Sequence, residues 1–459
     1  MAAARNIPVI SRVLQDGTLV ETVYDVLKSS TSLAIRSPDG SVRIADSFDL
    51  PSGGRLTPYS AANNLLVTGC VLLPSKVGDF KDLGDKEDLV RDVRAFLHRY
   101  VDLSPGFEEI AAHYVLLTWV HDAFNELGYL RFRGDYGTGK TRALLAVGSL
   151  CYKPFFASGA STVSPIFHVL DAVGGTLVLD EADLRFSDAT ADLTKILNNG
   201  TVRGLPVLRT MANRHRELNP QAFRVFGPKL IAMRHRFADD ALESRFLTEE
   251  TGTRPLRSDI PIHLPEALHA EARELRNRLL AWRFHAFGQV GPDPSRLVPG
   301  IEPRRNQTAL ALLSLVDDPE TRRRIAGELV GEEARVLQER AASPEATMLA
   351  SLATAFRQGS GAVSVSEVAQ GFNQSLDKDD APKSAKWTGW FLRTKLRLRT
   401  ERVRGVYVVP RSQIGAIRTL ARRYGVDVGG ADAQDSAVGS AREARPLAPD
   451  ARNAPVEKA

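Results

Sequence analysis

Cysteine is almost absent from this chain. Two residues, Cys70 and Cys151, in 459 exclude a disulfide framework and a Cys-x-x-Cys metal pair. The nine histidines show no spacing suited to zinc. Long apolar runs are missing as well. The longest candidate, from Ile110 to Phe124, is broken by His113, His121 and Asp122, so it reads as a buried helix and not a membrane span. No signal peptide precedes Ile7-Pro8-Val9-Ile10, and a cytoplasmic protein without membrane contact is expected. A strong charge of one sign is also lacking, the formal net charge being +5, so the placement of charge matters more than its sum. What is present suffices for real cores: a hydrophobic fraction of 43% over this length allows about three domains.

The most informative stretch runs from Tyr129 to Thr141, Tyr-Leu-Arg-Phe-Arg-Gly-Asp-Tyr-Gly-Thr-Gly-Lys-Thr. It fits the phosphate-binding pattern G-x-x-x-x-G-K-[ST], after a strand-like run and before a helix-forming one. Gly134, Gly137 and Gly139, with Thr138 between the last two, let consecutive amides turn inward around a phosphate. The helix opening at Lys140 adds unpaired N–H groups and a positive dipole end. Lys140 is expected on the β- and γ-phosphates of ATP and the Thr141 hydroxyl on Mg²⁺.

Gly174 to Asp183 supplies the second motif, as Leu177-Val178-Leu179-Asp180-Glu181. It reads as a buried parallel strand, apolar on both faces and ending in carboxylates. Ligands of open α/β sheets collect at such strand ends, so Asp180 should emerge beside Thr141 and help to hold Mg²⁺. Glu181 is then placed to polarise a water for attack on the γ-phosphate, which favours hydrolysis over small-molecule kinase chemistry. The Asp-Glu-Ala-Asp letters do not make a two-lobed DEAD-box helicase. No second strand–helix alternation of comparable size follows residue 250.

Three downstream segments, Ile196–Gly204, Val225–Ala232 and Ala241–Phe246, together with the Tyr129–Phe132 strand, resemble a family of helicase-like AAA+ ATPases. Its members are often encoded near primases on phages, plasmids and other integrated elements. The resemblance covers roughly residues 86–425. It implies an arginine finger at Arg245, after Ser244, acting on the neighbouring subunit's ATP, where a fixed guanidinium offsets charge on the transferring phosphoryl group. A local ion pair of Arg245 with Glu243 or another carboxylate is the structural alternative. The sensor-1 position falls on Arg234 or His235, where many members have Asn or Thr. The best sensor-2 candidate is Arg304, after Pro303 at a helix start. Arg214, His215 and Arg216, between two strand-like segments, match a pore hairpin that tracks nucleic acid. An ordinary exposed loop is an equal reading.

The expected fold class is α/β: an AAA+ P-loop core with a helical lid, an N-terminal β-rich module and a C-terminal winged helix-turn-helix. Residues 1–85 carry Asp16-Gly17 and Asp39-Gly40 between alternating segments, a hairpin signal. The ATPase core is expected over 86–250, the lid over 251–344, the winged helix over 345–427 and a disordered tail over 428–459. Between Lys383 and Arg404 in that segment, Lys383, Lys386, Arg393, Lys395, Arg397, Arg399, Arg402 and Arg404 stand against Glu401 alone, an electrostatic footprint for nucleic acid. Trp387 and Trp390, three residues apart, are expected on one helix face in the core. The reading is an ATP-driven motor on DNA, a homo-oligomer expected as a hexameric ring with a primase or other replication protein as partner. A DNA-bound ATP switch that remodels a partner without translocating is the alternative.

Overall fold

The computed structural model describes residues 5–79, 84–182, 188–212, 218–237, 239–359, 361–376 and 380–427 of the chain. Its centre is a five-stranded, all-parallel sheet. From one edge to the other the strands are Phe246–Glu250, Tyr129–Arg133, Lys229–Met233, Leu177–Asp180 and Phe155–Ser158. In chain order this reads fifth, first, fourth, third, second. One strand therefore separates the two that carry the sequence motifs. Leu177, Val178 and Leu179 are buried without alternation, as a strand covered on both faces must be.

The same holds for Tyr129, Leu130, Arg131 and Phe132, where an arginine enters the core. Its charge is met in full. The Arg131 guanidinium grips both Glu243 carboxylate oxygens at 2.6 and 2.8 Å and donates to the Thr248 hydroxyl. A planar fork against a carboxylate is the geometry in which a buried pair is best offset for lost hydration.

Helices Lys86–Tyr100, Pro105–Trp119, Lys140–Leu150 and Glu266–Ala286 share one large apolar cluster with this sheet. Pro105–Trp119 is buried on nearly every side, in line with the buried helix expected over its apolar run. Among the described residues no helix is long and apolar enough to cross a membrane.

The N-terminal strands form two small sheets, with Ser11–Val13, Leu19–Asp25, Ser30–Arg36 and Val42–Ala45 in one of them. Gly17 and Gly40 occupy the left-handed region at the tips of its outer hairpins. These strands are built into the larger body. Leu19, Val23 and Ala34 belong to the same cluster as the helices. Buried Glu21 accepts from Tyr152 Oη at 2.5 Å and from Arg283 Nε at 3.0 Å. Arg283, on the Glu266–Ala286 helix, also donates to Asp122 at 3.0 and 2.7 Å.

By compactness the chain divides in two after Gly331. The second unit contains helices Pro344–Gln358, Val365–Gln374, Ala385–Thr394 and Ile414–Arg423, with a three-stranded sheet. Ser343, Ser364 and Ser384 each cap a helix by accepting a backbone N–H three residues on, the N-cap role that serine performs well. Glu401–Val403 and Val406–Val409 form an antiparallel hairpin, and short Val363–Ser364 pairs with its second strand.

Candidate nucleotide site

The Tyr129–Arg133 strand leads into the glycine loop, and the loop into the Lys140–Leu150 helix. Each glycine has its own reason. Gly137 and Gly139 have φ of 76° and 87°, the left-handed region that side chains disfavour. At Gly134 the obstacle is space, since a Cβ there would lie 2.4 Å from Thr251 Oγ1 and 2.5 Å from its carbonyl oxygen. Thr138 ties the loop to the end of the neighbouring edge strand, with its hydroxyl 2.8 Å from that of Thr251. The Lys140 ammonium turns back onto the Asp135 carbonyl of the loop.

The motif strands converge at their C-terminal ends. Thr141 Oγ1 donates to Asp180 Oδ2 at 2.9 Å across 39 residues of sequence. Hydroxyl and carboxylate oxygens are the donor types a hard divalent cation takes. The next residue, Glu181, is exposed and has φ of 53°. A non-glycine residue in that region costs about 1–3 kcal/mol and clusters at working sites. Its backbone N–H is held by Asp180 Oδ1 at 3.0 Å, and Ala182 N–H by the Ala232 carbonyl at 3.0 Å.

Gly137 to Arg142, Asp180, Glu181, Met233 and Arg234 line one open cleft of about 250 Å³. Arg234 stands over the Tyr136 ring at 5.6 Å. Of the two sensor-1 candidates, Arg234 is thus at the cleft.

A second cavity of about 440 Å³ adjoins it, sharing Gly137, Thr138, Gly139 and Arg142 and closed by residues 249–262. Sequence reasoning missed this wall. Arg142, directly after Thr141, holds it in place by donating to the Pro261 and Ile262 carbonyls. Leu256 and Ile262 are exposed beside the cavity.

Arg245 lies elsewhere. Phe246 pairs with Tyr129 and Glu250 with Arg133, so Arg245 stands at the sheet edge opposite the glycine loop. The intervening strand spans roughly 13 Å at its usual rise. Its own cleft is out of reach. Its guanidinium donates to Thr201 Oγ1 at 2.5 Å, to the Asn198 carbonyl and to the Ala241 carbonyl at 3.2 Å. The ion pair with Glu243 weighed above does not form, because Glu243 is taken by Arg131. Burial, and then the charge of nearby Arg304, pull the Arg245 pKa below its ordinary value.

Arg304 is also not brought to the cleft. It is exposed in the first turn of Pro303–Leu313. That turn is pinned beside Arg245, with Arg305 donating to the Phe246 carbonyl at 2.8 Å and Thr308 to the Ser244 carbonyl at 3.2 Å. The hairpin of Val207–Ala212 and Leu218–Phe223 is present. Arg214, His215 and Arg216 at its tip lie outside the described residues, as does the tail 428–459.

In the second unit Lys386, Arg393, Lys395, Arg397, Arg399, Arg402 and Arg404 are all exposed. Arg399 pairs with Glu401 at 3.1 Å. Arg393 donates to Thr400 Oγ1 at 3.1 Å. Trp387 packs on Phe372 and Phe391 with ring centroids 5.7 and 4.9 Å apart. Trp390 departs from expectation. It is 45% exposed because its position on the helix faces away from the cluster that takes Thr388, Phe391 and Leu392.

No family model matches the sequence, nor does any curated protein. Among solved structures, the chain is similar to the apo C-terminal region of NrS-1 at 10% identity, over 85% of this chain and 96% of that one, with a TM-score of 0.36. A JCV helicase structure is similar at 16% identity, over 57% of this chain and 64% of that one, with a TM-score of 0.24. Neither likeness is close enough to bear on the chemistry, which rests on the geometry above.

Proposed function

We propose that this protein is an AAA+ P-loop ATPase that hydrolyses Mg²⁺-ATP to act on nucleic acid, as a DNA helicase or replication motor of a mobile element. The observation that carries the reading is the 2.9 Å contact between Thr141 and Asp180 at the mouth of the glycine loop. Two sequence motifs 39 residues apart meet there with the oxygen donors that a magnesium nucleotide needs. Thr141 and Asp180 would hold the metal, which supplies charge neutralisation on the β- and γ-phosphates.

The chain's own residues do the rest. The loop amides and the Lys140 ammonium bind the phosphates in place of the Asp135 carbonyl. The second cavity, walled by residues 249–262 and offering Leu256, Ile260 and Ile262 beside charged side chains, takes the nucleoside. Glu181 accepts the proton of the attacking water, and its strained backbone aims the carboxylate from the strand end. Arg245 serves a neighbouring copy, because its own cleft lies across the sheet. That requirement is what supports a closed homo-oligomer, with a hexameric ring as the reading carried over from the resemblance.

For the second unit we propose a winged helix that binds DNA. Support comes from the serine-capped helices, the hairpin after the Ala385–Thr394 helix and the one-sided charge from Lys383 to Arg404. Steady-state ATP hydrolysis by the purified protein, with and without DNA, tests the assignment. Stimulation with strand displacement is expected of a motor. Stimulation without displacement would assign the protein to the partner-remodelling switches, and absence of any hydrolysis with Mg²⁺-ATP would remove the ATPase.

A further inference from the structure

The Ala385–Thr394 helix turns Thr388, Gly389, Phe391 and Leu392 inward. That leaves Lys386, Trp390, Arg393 and Thr394 exposed, at spacings of four, seven and eight residues, so they form one outward stripe. The indole sits between two cations, one on each side along the helix axis. Lys386 and Arg393 are about 10 Å apart along that axis at 1.5 Å per residue.

Folding does not account for the tryptophan. Its ring centroid is 6.4 Å from those of Trp387 and Phe391, so it touches the outside of a cluster that is already closed beneath it. An indole left 45% exposed gives up much of the stabilisation that burial would bring. An apolar partner would not select its surroundings, where eight cations stand against one carboxylate between Lys383 and Arg404. Cations alone satisfy phosphates. A flat π-face among them adds a platform for a base that is not paired in a duplex.

We propose that this face binds nucleic acid through an unpaired base stacked on Trp390, with Lys386 and Arg393 holding the flanking phosphates. The inference rests on the nucleic-acid reading of the second unit and adds a preference for single-stranded over duplex substrate. The stacking face is sequence-tolerant, because every base offers a π-surface. The charge of Lys386 and Arg393 acts on the backbone alone.

The test uses the full chain without nucleotide, titrated with a labelled oligo(dT) and with a hairpin duplex of equal length. Trp119 and Trp282 are buried in the first unit, so quenching of tryptophan emission by oligo(dT) reports mainly on Trp390 and Trp387. Trp390→Ala should weaken oligo(dT) binding roughly 5- to 150-fold, the range for losing one stacked base, and should abolish most of the quenching. Its log–log salt slope should stay that of the wild type, whereas Lys386→Ala should lower the slope by about 0.7. Trp390→Phe keeps a π-face and should retain most of the affinity, which separates stacking from misfolding.

Unchanged oligo(dT) affinity in Trp390→Ala overturns the proposal. So does an equal loss on duplex and single strand, which would make Trp390 a groove contact. Quenching by polyglutamate with the same dependence on Trp390 would assign the face to an acidic protein instead. Failure of the wild type to bind any nucleic acid removes the DNA-binding reading as well, while failure confined to the Trp390 variants leaves it standing.

Discussion

Thr141 Oγ1 and Asp180 Oδ2 stand 2.9 Å apart, and this contact joins the helix that follows the first strand of the parallel sheet to the end of the third, with the fourth strand lying between those two strands. Asp180 ends its strand and Thr141 lies in the first turn of the helix that follows the glycine loop, at the C-terminal side of the sheet where the crevice of an open α/β sheet forms. The position of every other group in the cleft can be read from that pair.

Lys140→Ala should lose tight ATP binding, since it removes the ammonium that the proposed mechanism places on the phosphates. Glu181→Gln should bind ATP normally and turn over about 10²- to 10⁴-fold more slowly, the range for losing a general base. Nucleotide affinity by fluorescence titration and steady-state phosphate release separate the two effects. Normal turnover by Glu181→Gln would take the base assignment away from Glu181.

Arg245→Ala should bind nucleotide and hydrolyse it about 10³- to 10⁵-fold more slowly, as for a finger supplied in trans. Mixing it with Lys140→Ala protein should restore activity, because one copy then offers an intact cleft and the other an intact guanidinium. Since Arg245 also ties the Asn198 and Thr201 region together, thermal unfolding of the variant should be compared with wild type. Absence of rescue in demonstrated mixed oligomers would end the trans assignment.

Acid should destabilise the first unit between pH 6.5 and 4. Burial holds His113 and His121 down at about 4. In that window the unfolded chain binds protons at both positions and the folded chain does not, so stability rises with pH and is lost as pH falls. Below about 4 both states are protonated and this contribution levels off. Urea midpoints measured from pH 7 to 4 should decline, and His121→Phe should reduce the slope by nearly one proton. An unaltered slope in that variant would show that His121 titrates normally.

Arg283→Met should cost about 3–5 kcal/mol, because it leaves the Glu21 and Asp122 carboxylates without the guanidinium between them. Replacing Glu21 with Gln alone should cost less, since Tyr152 can still donate to the amide oxygen. Urea unfolding followed by emission of buried Trp119 and Trp282 gives both values. Equal midpoints for Arg283→Met and wild type would show that the network adds nothing.

The cleft was legible because its chemistry is local in sequence: a glycine loop between strand and helix, and carboxylates at the end of an apolar strand. The wall at residues 249–262 was not, for it depends on Arg142 reaching the carbonyls of a segment more than a hundred residues away. The N-terminal hairpins were visible in Asp16-Gly17 and Asp39-Gly40. Their burial against the helices was not, because Leu19, Val23 and Glu21 would look the same in a free-standing sheet. Helical spacing put Trp387 and Trp390 on one face. Three residues advance a helix by about 300°, enough for the two rings to fall on opposite sides of the boundary between core and solvent. Glu181 carries no sign in its letter that its backbone would be left-handed.

The place of Arg245, at the sheet edge away from its own glycine loop, makes each chain half of two different sites under the proposed mechanism. A chain defective in the guanidinium half then spoils a site that belongs to its neighbour, so loss is not confined to the molecule that carries it. In assemblies mixed at random with chains lacking both halves, working sites decline as the square of the intact fraction, not in proportion to it. Dilution has the same effect without any mutation, because separated subunits keep their nucleotide clefts and lose the guanidinium that completes them.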